Sequence, residues 1–431
     1  MRFSALPITG FYMLGAYGVV GLVGVASIRL LTELAPTNVF GEANLVLTLL
    51  GLAITMACQP FTNTQLRYHV LAADQRRGEA FTQAALLTTA VAGSGVYAVT
   101  VITWVAVRCS GVGHLDVWGL FGLGGVVFAT AARNVLYGRF QAEQRNFTYG
   151  ALLAAEAGMI AGSTALGLLV RPSVNGYVIG HAIGLTSAAL LGAVAAPRFT
   201  WRTLKRSPST LGFLRRVWTY GAPFAPIGAL GWLANLADRY VLGALMGAES
   251  AGRYVASFSI ASRGMGLLGG AVGDLFRPAL FAAVNQGDRP RARLIFWSWL
   301  GVRSVTIVMG VGGLTIFGPL IVRLLLAPAY RPGALPVMIW IAVAYGVQGI
   351  IQTLETQLMA LNQTPRLILT LAVGGGANLL FSSLLIPKLG VLGAAQATTA
   401  SFVIQAGVTA LMLHRNRRAL QSKGVSGFSA D

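Results

Sequence analysis

Apolar residues run through this chain in stretches of twenty or more, parted by short polar segments in which arginine predominates. A helix crossing hydrocarbon needs about 20 mostly apolar residues. Twelve stretches meet that length: residues 8–31, 43–65, 81–107, 117–138, 149–170, 176–196, 218–245, 252–276, 294–325, 333–359, 367–387 and 390–413. The ninth is long enough to be tilted or broken near Gly310 to Gly313. The first follows Arg2 and is too long for the apolar part of a signal peptide, so it is expected to be a retained span. The pattern predicts an all-α integral membrane protein with twelve transmembrane helices.

Composition agrees. Only 10% of residues are charged and 55% are hydrophobic, where soluble proteins carry about 25% charged residues. A water-facing surface cannot be built from so few ionic groups. The balance of 32 Lys+Arg against 13 Asp+Glu could suggest nucleic acid, but the charges are scattered between apolar runs and no basic domain exists, so that class is excluded. Cys58 and Cys109 fall at different depths of different spans and are not expected to pair.

The connecting loops alternate in charge. Arg2, Arg67, Arg76, Arg77, Arg139, Arg145, the cluster from Arg198 to Arg216, the group from Arg277 to Arg293, Arg366 and the basic tail place twenty-one cations on one side. Arg108, Arg171, Arg253, Arg323, Arg331 and Lys388 place six on the other. Positive charge stays in the cytoplasm, so both termini are expected inside. The longest polar loop, about residues 197–216, parts six spans from six. It suggests an N-terminal lobe over 1–205, a C-terminal lobe over 206–413 and a cytoplasmic tail over 414–431. A faint repeat agrees: Arg29-Leu-Leu then Phe40-Gly41-Glu42 is echoed by Arg239-Tyr-Val then Ala251-Gly252-Arg253, about 211 residues on. Transporters are often built from such repeats, with the substrate path at their interface.

Five arginines lie inside spans: Arg29, Arg133, Arg239, Arg263 and Arg303. Insertion costs of about 2.5–3.5 kcal/mol each would total roughly 12–17 kcal/mol if all faced lipid at mid-depth, as much as a whole protein's stability of about 5–15 kcal/mol. They must point inward or reach for the interface. Arg263 is farthest from either end of its span. Ser259, Arg263, Gly266, Gly270 and Asp274 share one helical face by their 4-3-4-4 spacing. Asp274 stands three turns, about 16 Å, from Arg263 and cannot pair with it directly. Tyr345, Gln348, Gln352 and Glu355 form a second polar stripe, and Gly228, Gly231, Asn235 and Asp238 a third, after Pro223 and Pro226, which are expected to kink or interrupt their helix. Such stripes serve either interhelical hydrogen bonding or a hydrated cavity; three in one half favour the cavity. Acidic groups within spans, Glu156, Asp238, Asp274 and Glu355, are candidates for ion coupling or counter-charge. Five cations against four acids favour an anionic ligand.

Other chemistry is missing from the sequence. None of the three lysines follows glycine, so no P-loop exists. There is no H-E-x-x-H, no C-x-x-C and no D-x-D; no catalytic residue, cofactor or metal is expected, and the chain does not read as an enzyme. His181, in the sixth span, reads as a packing residue before a proton relay.

One block carries a resemblance. Tyr220-Gly221-Ala222-Pro223, Asn235, Asp238-Arg239-Tyr240, Leu242-Gly243, Gly247 and Ala251-Gly252-Arg253-Tyr254 resemble the bacterial polysaccharide (O-antigen type) flippase family. So do Arg29, Leu31, Pro36 and Phe40-Gly41, and Phe140-Gln141-Ala142 through Arg145-Asn146-Phe147. Asn378, Ile386-Pro387, Gly390 and Gly393-Ala394-Ala395 through Thr398 are similar to a signature of the wider superfamily of multidrug, oligosaccharidyl-lipid and polysaccharide exporters. The resemblance implies two six-helix lobes around a central cavity opening alternately to each side of the bacterial plasma membrane. It implies a substrate of undecaprenyl-pyrophosphate-linked oligosaccharide, moved from inner to outer leaflet, with membrane lipid and a polysaccharide polymerase or other assembly proteins as partners. Arg29 and Arg239 fall on the family's motif positions; Arg133, Arg263 and Arg303 join them as headgroup ligands on burial alone. Ser259, Asn235, Tyr345, Gln348 and Gln352 would line the cavity. Two other readings stay open: an ion-coupled drug or metabolite exporter of the same superfamily, and a membrane polymerase or ligase of the same pathway.

Overall fold

The computed structural model describes residues 6–58, 61, 78–109, 115–196, 219, 225–361 and 363–422. The polar loops holding Arg67, Arg76, Arg77 and Arg198 to Arg216, the block Tyr220 to Pro223, and the end of the tail lie outside them. The described chain is all helical, in the order α1 (Leu6–Leu34), α2 (Thr37–Ala57), α3 (Gly78–Cys109), α4 (Val117–Ala142), α5 (Asn146–Val170), α6 (Val174–Ala195), α7 (Ala225–Asn285), α8 (Arg289–Leu325), a 3-10 turn (Pro328–Tyr330), α9 (Ala334–Ala360), α10 (Thr364–Leu389) and α11 (Val391–Ser422). Gly247, with φ 82°, breaks α7 into two arms, so twelve helical arms result. Nine helices among the described residues are long and apolar enough to cross a membrane.

Pro223 lies outside the described residues, and Pro226 is the second described residue of α7, so the expected kink or interruption falls at the edge of what is described. Residues Gly310 to Gly313 run unbroken through α8, whose 37 residues span about 55 Å at 1.5 Å per residue. That exceeds the ~30 Å hydrocarbon thickness. Val305, Val308, Met309, Ile316 and Phe317 are exposed on α8, as lipid-facing positions would be.

The helix ends follow ordinary capping chemistry. Asp116 accepts a 2.8 Å hydrogen bond from Gly119 N–H at the start of α4, and Ser173 accepts from Gly176 N–H at the start of α6. Gly390, at φ 61°, ends α10 and lets α11 begin one residue later. Asp116 also pairs with Arg171 at 2.7 Å. Partial burial acts to raise the Asp116 carboxyl, but the Gly119 N–H and the Arg171 guanidinium outweigh it and hold the group below the usual carboxylate range. The folded state therefore gains from Asp116 above the unfolded value of about 3.9 and loses that gain as pH falls through the folded value. Asp116→Ala is expected to cost about 1 kcal/mol at neutral pH. Thermal melts of wild type and variant should converge below about pH 4; a gap that stays constant with pH would refute the assignment.

The fold divides into two compact units. One comprises Met1–Ala229, Met246–Ile260 and Val322–Pro332; the other comprises Leu230–Leu245, Ala261–Ile321 and Gly333–Asp431. The division therefore falls past residue 205, and the second half of the chain lends two segments to the first unit. Close helix approach explains the lending. Gly41 of α2 and Gly252 of α7, equivalent positions of the repeat, face each other: a methyl at Gly41 would come within 2.7 Å of Gly252 N, and one at Gly252 within 3.0 Å of Gly41 N. The Val322–Pro332 segment is tied to α1. Tyr330 donates to Ala35 O at 2.8 Å, and Ala327 N–H donates to Thr32 Oγ1 at 3.3 Å.

Within the first unit, α5 packs along α6 and α4 along both α3 and α6. Gly176, Gly180 and Gly184, four residues apart on one face of α6, set the α5–α6 spacing. Added methyls would reach Thr164 Cα at 2.7 Å from Gly180 and Ile160 Cα at 2.6 Å from Gly184. Small residues at four-residue intervals are how membrane helices approach this closely. In the second unit α11 packs against α9 and α10, and Trp299, Leu280, Leu354, Leu358 and Leu413 form a buried cluster.

Candidate functional site

The five intramembrane arginines occupy four kinds of environment. Arg29, about one-third exposed, is held by a 2.6 Å ion pair to Glu33 one turn on and a 2.6 Å hydrogen bond to Leu326 O. Its two Nη groups thus fasten α1 to the end of α8.

Arg133, on α4, is half-buried. Its Nε meets Glu156 Oε2 of α5 at 2.7 Å, its Nη1 meets Asn134 Oδ1 at 2.7 Å, and its plane lies over the Tyr137 ring at 4.6 Å. Glu156 is its counter-charge, so the guanidinium is neutralised where it stands. Both line a cavity of about 340 Å³ in the first unit, together with His181, Asn134, Thr130 and Thr55. His181 stacks on Tyr177 at 6.5 Å between ring centres.

In the second unit Arg239 is buried on α7 beside a wholly buried Asp238. Asp238 Oδ2 accepts from Thr398 Oγ1 at 2.8 Å, and Oδ1 accepts from the Arg239 N–H at 2.9 Å. Asn235, one turn earlier, receives the Gln348 amide and donates to Gly231 O at 2.7 Å. Two of the polar stripes therefore join each other directly. Glu355 receives Gln405 Nε2 at 3.1 Å and Thr370 Oγ1 at 3.4 Å. Tyr345 packs edge-on against Phe402 at 6.4 Å, and Gln352 is exposed.

Arg263 is exposed, Ser259 is half-buried, and the glycines sharing their face are open: a methyl at Gly266 or Gly270 would meet nothing within 4 Å. Asp274 continues α7, with its side chain outside the described set.

Arg303 differs from the rest. It lies on α8 at 4% exposure, its Nε has no hydrogen-bond partner, and no carboxylate pairs with it among the described residues. Glycines make the room. A methyl at Gly273 would lie 3.4 Å from Arg303 Nη2, 3.9 Å from Arg277 Nη2 and 4.0 Å from Trp299 Cζ2, and one at Gly349 would lie 3.2 Å from Arg303 Nη1. Trp299, fully buried, also holds an indole N–H with no acceptor. Buried Arg303 and the rim of the Trp299 ring thus lie beside the exposed Arg277 guanidinium, with no acceptor among the described side chains there. Buried donors ordinarily have partners, and a buried charge without one is costly. This arrangement suits a ligand that brings several acceptor oxygens and negative charge.

Arg303 was legible from the sequence as an intramembrane cation. Its partners were not: Trp299 is one turn earlier on its own helix, but Arg277, Gly273 and Gly349 come from α7 and α9. Thr370 and Gln405 were missed as well, since single threonines and glutamines in apolar helices give no signal until an acid is found opposite them; Thr398 was noted only within a motif, not as a partner of Asp238.

No family model matches the sequence, and no curated protein does either. Solved structures do. The chain is similar to an inward-facing multidrug resistance MATE family transporter of the MOP superfamily, with TM-score 0.76 at 12% identity over 96% of this chain and 100% of that one. It is similar to the lipid II flippase MurJ in an inward closed conformation, with TM-score 0.68 at 12% identity over 93% and 87%. A MOP superfamily transporter from Pyrococcus furiosus, described as having a binding pocket of reverse polarity, gives TM-score 0.66 at 13% identity over 97% and 96%. At such identities the likeness establishes the fold. This is a two-lobed, multi-pass membrane protein with the fold of MOP superfamily transporters, and the proteins it resembles are transporters and flippases.

Proposed function

We propose that this protein translocates an undecaprenyl-pyrophosphate-linked oligosaccharide from the inner to the outer leaflet of the bacterial plasma membrane by alternating access, both termini being cytoplasmic. One observation carries the reading: buried Arg303 and Trp299, each with an N–H that meets no acceptor among the described residues, beside the exposed Arg277 guanidinium on an all-helical membrane scaffold. A diphosphate diester offers the charge and the oxygens this region lacks. It cannot cross hydrocarbon unaided, whereas a polyprenyl tail can stay in lipid throughout. Arg263, on its open glycine face, and Arg239 would form further stations for the headgroup. Transport needs no bond to be made or broken, and a polysaccharide polymerase on the outer side would consume the product.

A multidrug exporter of the same fold is the second reading, and the acids Asp238, wholly buried, and Glu355, half-buried, favour it. Both already accept hydrogen bonds, from Thr398 and a backbone N–H at Asp238 and from Gln405 and Thr370 at Glu355, as acids serving helix packing would. The test is reconstitution of the full chain in liposomes. Fluorescent undecaprenyl-diphosphoryl oligosaccharide should cross at least tenfold faster than in protein-free vesicles, while ethidium should not. Ethidium uptake without movement of the lipid would replace this reading with the second one.

A further inference from the structure

The cavity of the first unit has a different chemistry. It is bounded by α2, α4, α5 and α6, and its walls are apolar at Leu47, Ile54, Val126, Ile160 and Leu185. Into it turn six polar side chains: Arg133, Glu156, Asn134, Thr130, Thr55 and His181. Its formal charge cancels, because Arg133 and Glu156 pair at 2.7 Å. Spare hydrogen-bonding capacity remains on both sides of that pair. Glu156 Oε1 can accept, the Asn134 amide N–H₂ can donate, and the hydroxyls of Thr55 and Thr130 and the ring nitrogens of His181 make no hydrogen bond among the described residues.

Charge decides what fits. An anion would face Glu156 and a cation would face Arg133, each at close range in a medium of low dielectric. A purely apolar ligand would leave the spare capacity of Glu156, Asn134, Thr55, Thr130 and His181 unmet, each unpaired buried group costing about 1–3 kcal/mol. What remains is a neutral ligand with an apolar C–H face and a rim of hydroxyls that both donate and accept, which is the chemistry of a sugar ring. About 340 Å³ falls within the volume of small-molecule sites, ~300–1,000 Å³. We infer that this cavity is a saccharide subsite, in which the Arg133–Glu156 pair, Asn134 and Thr130 read sugar hydroxyls and so select the glycan. The ion pair is then a recognition element, both partners fixed by each other and by Asn134 and Tyr137 so that their free lone pairs and N–H groups are oriented before the sugar arrives.

The inference rests on the glycolipid reading, and its test separates the two. Affinities are measured for the full chain in nanodiscs with bare undecaprenyl diphosphate and with the same lipid carrying one N-acetylglucosamine, galactose or glucose. The readout is the ratio of sugar-bearing to bare affinity. For wild type at least one sugar should raise affinity fivefold or more. Glu156→Gln and Thr130→Val should bring that ratio towards one; Thr130→Val keeps the ion pair and the volume, so it answers for folding. Equal binding of all four lipids to wild type, or an undiminished ratio in both variants, overturns the subsite while leaving the flippase reading standing. Failure of every lipid to bind overturns both.

Discussion

Exchanging Arg303 for methionine will slow translocation of lipid-linked oligosaccharide by roughly 10- to 100-fold, the loss expected for a charge-assisted hydrogen bond in a dry site, and will leave the protein as stable as before or more so. The two halves of that result follow from one fact. Arg303 is 4% exposed, with an Nε that reaches no acceptor. A buried charge with no carboxylate partner among the described residues contributes no net stability, and an apolar side chain of similar length packs in its place without a desolvation cost. A structural arginine would behave in the opposite way, its removal leaving an abandoned carboxylate and a falling melting temperature. The comparison to run is with Arg133→Met, which does abandon a carboxylate: Glu156, its 2.7 Å partner. Breaking a buried pair costs about 3–5 kcal/mol, reduced here because Arg133 is partly exposed. Transport rates and thermal melts of the two variants in the same liposomes decide the matter. A destabilised Arg303→Met with normal transport per folded molecule would remove Arg303 from the substrate path.

Gly180→Val will deprive the membrane of folded protein. The first methyl added at Gly180 already meets Thr164 Cα at 2.7 Å and overlaps the Ser163 carbonyl, both backbone positions of α5. Backbone cannot rotate aside as a side-chain tip can, so α5 and α6 must part along the length that Gly176, Gly180 and Gly184 hold together. Overpacking of well-packed sites ordinarily costs about 1–3 kcal/mol, and a valine wedged between two helix backbones belongs beyond that range. Gly162→Ala on α5 is the control. A methyl there meets nothing within 4 Å, and alanine for an interior helical glycine gains up to about 1 kcal/mol. Detergent-solubilised yield and melting temperature should fall steeply for the first variant and hold or rise for the second. Equal behaviour of the two would show that the glycine face of α6 does not set the α5–α6 spacing.

Much of the architecture was written in local pattern. Length and hydropathy of each stretch decide whether it can cross a bilayer, and both can be counted along the chain, so the helices of the described residues fall where the apolar runs fall. What depends on contact between distant helices cannot be counted in this way. The repeat of Phe40-Gly41 and Ala251-Gly252 was visible; that the two glycines face each other was not, since the spacing of 211 residues says nothing of contact.

The sequence alone determined that the chain is an all-helical membrane protein and that five arginines must be hidden from lipid, because hydrophobic length and the cost of a charge in hydrocarbon are properties of each segment by itself. It ranked Arg133 and Arg303 alike. Tertiary structure separated them: α5 brings Glu156 to the first, while among the described side chains α7 and α9 bring glycines and a second cation, and no carboxylate, to the other. Whether a buried charge is satisfied depends on what a different helix places within about 3–4 Å of it, and no local pattern records that.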